Sequence, residues 1–129
     1  MNLRVLALAG AATLFAGAAL ADDPMAGTYA NTVMTKDHAT GQSAMLMFNQ
    51  DMSYTAKGMG ANGQPVGYTG TWSLKDGGKT ICLMPNIPAG TPNAPTASCS
   101  PVTAHNVGDS WTVTNDQNQT FDVSITAGR

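Results

Sequence analysis

Glutamate is absent from the 129-residue chain, and no stretch of it shows a helical hydrophobic period of any length. Threonine, serine, asparagine and glycine are abundant instead. These residues suit pleated surfaces and turns better than helix interiors. The composition therefore predicts an all-β protein.

Positive charge is also scarce. Beyond residue 21, five cations face eight aspartates, so the formal charge is about −3 there; the cations are Lys36, Lys57, Lys75, Lys79 and Arg129. Binding to nucleic acid or to an anionic membrane surface depends on clustered lysine and arginine. The scattered cations exclude both as partners.

No apolar run is long enough to span a membrane. Arg4 precedes a short Ala- and Leu-rich run over 5–15, and Ala19-Leu20-Ala21 offers small residues for a signal peptidase. We therefore expect a signal peptide over 1–21, no membrane insertion after its cleavage, and a single periplasmic or secreted domain over 22–129.

Cysteine occurs only twice, at Cys82 and Cys99. In an oxidising compartment such a pair predicts a disulfide. The pair flanks a proline-rich stretch over 85–95, which predicts a long loop. That loop either covers one end of the fold or binds a protein partner, as the loop of a protease inhibitor would. In the second case the 85–98 segment would make the contact, through Asn86, Ile87, Thr91 and Asn93.

Period-two alternation and turn residues divide the chain into eight short strands. The clearest places Tyr68, Gly70, Trp72 and Leu74 on one face. The strands are expected over 28–35, 43–49, 53–59, 66–74, 79–84, 97–104, 110–115 and 120–126. Short turns at 76–78 and 115–118, and Asn62-Gly63, indicate an antiparallel meander. Such a meander predicts a small up-and-down barrel with one disulfide, and a β-sandwich is the alternative.

Short aromatic motifs carry a family resemblance. Gly27-Thr28-Tyr29 and Gly70-Thr71-Trp72-Ser73-Leu74 resemble the signatures of lipocalin-like (calycin) meander barrels, with Gly-Thr-Tyr where Gly-x-Trp is usual. The resemblance implies a barrel and transfers no binding residue. It leaves open whether the barrel encloses a cavity or is filled by Tyr68, Trp72, Trp111 and Phe121.

Catalysis finds little support in the sequence. There is no Gly-x-Ser-x-Gly elbow, and most aspartates stand in turns. The imidazoles are His38 and His105, of which His105 is typical of an exposed or capped turn residue. We expect a protein that is not an enzyme.

Methionine offers a second possibility. In the strand over 43–49, Leu46 and Phe48 point to one face, and Met45 and Met47 to the other. Two thioethers on one face suit Cu(I), and His38, with Met34 or Met52, could complete the site. Packing beneath the loop or the N-terminal segment is the favoured interpretation, and a contact surface is the third.

These observations predict a non-catalytic periplasmic or secreted β-domain that binds an unknown small ligand or protein, without a cofactor. The alternatives are a periplasmic Cu(I)-binding protein that uses His38, Met45 and Met47, and a protease inhibitor.

Overall fold

Eight antiparallel strands make up almost all of the regular structure. The computed structural model describes residues 23–59, 63–91 and 94–129, so the predicted signal peptide lies outside the described residues. Within that part of the chain no helix is long and apolar enough to cross a bilayer. The strands are β1 Thr32–Asp37, β2 Ser43–Phe48, β3 Ser53–Met59, β4 Pro65–Lys75, β5 Thr80–Asn86, β6 Ser98–Pro101, β7 Ser110–Thr114 and β8 Thr120–Thr126.

The sheet curls into a nearly closed barrel. Its strand order is β6-β5-β4-β3-β2-β1-β8-β7, so the pairing of β1 with β8 joins the two ends of the chain. The remaining gap lies between β6 and β7. Across it the Asp116 amide donates to the Cys99 carbonyl oxygen at 2.9 Å, and the Cys99 amide donates to Asp116 Oδ1 at 3.0 Å. The predicted antiparallel meander barrel is confirmed.

The disulfide is confirmed as well. Cys82 and Cys99 are direct cross-strand partners on β5 and β6, and their sulfurs are bonded. Ile81 and Leu83, which flank Cys82, face the barrel interior, so strand alternation places the bridge on the outer surface. The disulfide fastens β6, a strand of only four residues, to the sheet.

The first strand begins later than the sequence predicts. Residues 24–30 form consecutive turns, in which the Thr28 amide and hydroxyl both donate to the Met25 carbonyl oxygen. Ala30 has a φ of 61°, which extended backbone does not adopt. These local hydrogen bonds outcompete strand pairing until Thr32, so the prediction of a strand from residue 28 is wrong.

The fifth strand runs into the stretch that proline content assigns to a loop. Pro85 and Asn86 pair with Gly70 and Thr69 of β4. The pairing of β5 with β6 ends at Leu83 and Ser98, so Pro85 has a partner strand on one side only. Proline is tolerated at such a position because no second ladder needs its amide.

The densest packing lies at one end of the barrel. Strand alternation directs apolar side chains inward, and the turn over 24–30 covers this end. The buried cluster consists of Met25, Val33, Phe48, Tyr54, Ala56, Trp72, Val123 and Ile125. The barrel therefore has a closed end and, opposite it, an end where the walls separate.

Candidate functional site: the barrel cavity

The barrel encloses a cavity of about 550 Å³, to which all eight strands contribute lining residues. Its walls are mainly apolar and aromatic. The inward alternation of each strand supplies them: Val33, Leu46, Phe48, Tyr54, Tyr68, Ile81, Leu83, Val113, Phe121 and Val123. The barrel is thus hollow, and the aromatic residues line its cavity without filling it.

The four aromatic residues that the sequence offers as a filling for the barrel occupy different depths. Trp72 is buried, with 4% of its surface exposed. Tyr68, Trp111 and Phe121 are half-buried and line the cavity. Trp72 belongs to the buried core, and the other three residues pack against that core from the walls of the cavity.

The closed end is held by directed hydrogen bonds. Trp72 Nε1 donates to the carbonyl oxygens of Asn49 and Ser53 at 3.0 and 3.1 Å. Arg129 donates to the Phe48 carbonyl oxygen and to Asn49 Oδ1. These contacts join the β2–β3 turn, β4 and the C-terminus at the base of the cavity.

Met25 forms part of that base. Its side chain is 2% exposed and lines the cavity from the N-terminal turn. The close approach of Gly27 to the 102–109 connection fixes this turn, because a Cβ there would lie 2.0 Å from the His105 carbonyl oxygen. Met25 belongs to no alternating pattern in the sequence. Its role as a cavity-lining residue therefore could not be inferred from the strand patterns.

The opposite end of the barrel is the mouth of the cavity. Met59 and Val66 line it and are each about half exposed, at 50% and 51%. Ala94, Pro95 and Thr96 of the proline-rich segment also line it. This position agrees with the interpretation of the loop as a cover for an open barrel end.

Two tyrosines supply hydroxyl groups within the wall. The rings of Tyr54 and Tyr68 meet edge to face, with centroids 6.2 Å apart. Burial raises the pKa of both phenols, since it disfavours the phenolate. Both side chains are therefore neutral at physiological pH.

The predicted metal ligands lie outside the cavity. Met45 and Met47 point to the outer face, as the alternation of β2 predicts, and Met45 remains 39% exposed. Met34 is the cross-strand partner of Met45. On sequence grounds the N-terminal segment or the proline-rich loop is expected to cover these methionines. Both segments line the cavity, and Met45 is not fully covered by either.

His38 is not brought next to these methionines. It lies four residues along β1 from Met34, about 13 Å at the usual strand rise. Its Nε2 is 2.8 Å from Asp122 Oδ1, and this hydrogen bond lowers the pKa of the Asp122 carboxyl. Among the described residues no group of three or more histidine, cysteine, aspartate or glutamate side chains is placed to hold a metal ion.

Three of the four predicted partner-loop residues belong to the described part of the chain. Asn86 ends β5, Ile87 is half-buried, and Thr91 donates through its hydroxyl to the Pro88 carbonyl oxygen at 2.7 Å. Asn93 lies outside the described residues. The protease-inhibitor hypothesis stays a prediction.

His105 packs against Trp111 of β7. Its ring stacks on the Trp111 indole, with centroids 3.6 Å apart and planes 5° apart. Thr103 Oγ1 lies 2.9 Å from His105 Nε2. His105 lies in the irregular connection between β6 and β7, before the turn at 107–108, and is half-buried.

Comparison of the chain with protein-family models, with curated proteins and with solved structures finds no match in any of the three. The candidate site is therefore interpreted from its own geometry.

Proposed function

We propose that this chain is a periplasmic or secreted binding protein that holds one small, largely apolar molecule inside the barrel, without converting it. The observation that carries the proposal is the cavity of about 550 Å³. Small-molecule sites have volumes of roughly 300 to 1,000 Å³ and mostly apolar walls.

Several features support this proposal. The closed end is packed and hydrogen-bonded, while the mouth has half-exposed apolar residues at its rim, so a ligand can enter from one side. The lipocalin-like resemblance of the aromatic motifs agrees with a hollow meander barrel. The disulfide agrees with an oxidising compartment, as a signal peptide would require.

A fluorescent apolar probe tests the proposal. N-phenyl-1-naphthylamine gains emission when it leaves water, so a saturable increase at one probe per chain is expected. Ala44→Trp should abolish the increase, because Ala44 lines the cavity. Met45→Trp is the matched control, since the neighbouring side chain faces outward, and it should retain binding.

Circular dichroism establishes that each variant is folded. If Ala44→Trp does not fold, Ser100→Phe fills the cavity from β6 instead. Equal binding by the filled variants and the control would contradict a site within the barrel.

Cu(I) binding on the outer face is a second proposal, favoured by the register that places Met34 opposite Met45, with Met47 on the same face. Thioethers are soft ligands that suit Cu(I). Replacing Met45 and Met47 with leucine should abolish Cu(I) retention against a competing chelator and leave the protein folded. Unchanged retention would exclude these two residues as ligands.

A further inference from the structure

A charged residue at the mouth of the cavity identifies a class of ligand. Among the described residues, Asp37 is the charged residue that strand alternation directs inward, in phase with Val33 and Thr35 on β1. Lys57 also borders the mouth, but like Met59 it is exposed and lies on the outward phase of β3, where Met45 is its cross-strand partner. The cavity thus combines apolar walls with one carboxylate.

A tight turn holds the Asp37 carboxylate in place. Its Oδ1 accepts a hydrogen bond from the Ala39 amide at 2.8 Å, and its own amide donates to the Gln42 carbonyl oxygen at 2.8 Å. Within the described chain, the ion pairs of at most 4.0 Å are His38–Asp122 and His105–Asp109, so no protein cation neutralises Asp37. Its second oxygen can accept from a ligand.

An aromatic ring lies at the same level of the barrel. Phe121 is the cross-strand partner of Asp37 and lines the cavity. A cation near the mouth can therefore meet both a carboxylate and the face of an aromatic ring, and both interactions favour positive charge. A ligand carboxylate at this level would instead face Asp37 as a like charge.

We propose that the barrel selects amphipathic amines, with the ammonium group at Asp37 and the apolar part directed inward towards Met25. This inference rests on the proposed function and specifies its ligand class. The formal charge of about −3 beyond residue 21 also favours the approach of a cation.

Three ligands of one chain length test the selection. Decylamine and decanoate, each below its micelle concentration, and decanol, below its solubility limit, compete with bound N-phenyl-1-naphthylamine. Decylamine should bind about tenfold or more tightly than decanol, as expected of a charge-assisted hydrogen bond. Decanoate should bind most weakly.

Asp37→Asn should reduce the preference for decylamine over decanol to within about twofold, while binding of decanol is unchanged. Asparagine retains the oxygen that accepts from Ala39, so the turn is preserved. Asp76→Asn is the matched control, because Asp76 lies in the β4–β5 turn at the other end of the barrel, and it should preserve the preference. Thr35→Lys should reverse the order in favour of decanoate.

The possible failures are distinguishable. Equal affinities for the three ligands, a preference for decanoate, or an amine preference that survives in Asp37→Asn would overturn the cation inference and leave the proposed function intact. If neither the naphthylamine probe nor any of the three ligands binds, both proposals are wrong.

Discussion

At the scale of single residues, the packing around Tyr54 explains why a glycine stands in the middle of the longest strand. Tyr54 is 1% exposed, and Gly70 of β4 is its cross-strand partner. A Cβ at Gly70 would lie 2.6 Å from Tyr54 Cε1 and 2.5 Å from the Met84 carbonyl oxygen. The missing side chain is therefore a packing requirement.

Gly70→Ala should lower the free energy of unfolding by about 1 to 3 kcal/mol, because the added methyl group overpacks the wall. Urea denaturation measures the change. Gly67→Ala is the control on the same strand, since its Cβ would meet the Ala56 carbonyl oxygen at an ordinary 3.6 Å. A loss in Gly67→Ala as large as that in Gly70→Ala would contradict this explanation.

Burial of Tyr54 also predicts how stability depends on pH. Its pKa is raised above the ordinary value of 10.0, chiefly by burial. The unfolded chain therefore loses this proton at a lower pH than the folded protein does. The stabilisation is complete below pH 10 and is lost progressively as the pH rises from 10 towards the raised pKa.

Urea unfolding at pH 9 and pH 11 measures this effect. The free energy of unfolding should fall between the two, and it should fall less in Tyr54→Phe, which has no phenol to ionise at this position. An equal fall in the variant would assign the alkaline loss to other groups.

At the scale of strands, sequence predicts the interior of each element better than its ends. The bounds of β3 and β8 are as expected, because both strands alternate cleanly to their last residues. The predicted sixth strand, over 97–104, shortens to Ser98–Pro101. Among the described residues its hydrogen-bond partners are β5 and Asp116, in the turn between β7 and β8. These contacts depend on tertiary structure, so the sequence does not indicate where the strand ends.

Replacing both Cys82 and Cys99 with serine should lower the free energy of unfolding by about 3 kcal/mol, since the bridge closes a loop between residues 17 apart. The barrel should persist, because seven strand pairings remain. Hydrogen exchange should show the greatest loss of protection in β6, which depends on the bridge, and the least in β2 and β3. Uniform loss across the barrel would contradict this account.

At the scale of the whole molecule, the sequence predicts a barrel but leaves its interior undefined. Alternation in β4, β7 and β8 indicates which residues face inward. The volume between them depends on long-range pairings: β1 joins β8, and the gap falls between β6 and β7. The closed end depends on Met25 and on local turns, and the hydrophobic periodicity of the sequence indicates neither. The position of the mouth, and of Asp37 beside it, could therefore not be predicted.

The central claim is that a small ligand binds inside the barrel, and the methionines report on it directly. NMR spectra of protein labelled at the methionine methyl carbons, recorded during titration with N-phenyl-1-naphthylamine, separate the interior from the outer surface. Met25 at the base and Met59 at the mouth line the cavity. Met45, Met52 and Met84 are exposed outside it.

We predict that the methyl signals of Met25 and Met59 shift, with saturation at one probe per chain, while those of Met45, Met52 and Met84 do not. Shifts confined to the three outer methionines would contradict a ligand site within the barrel.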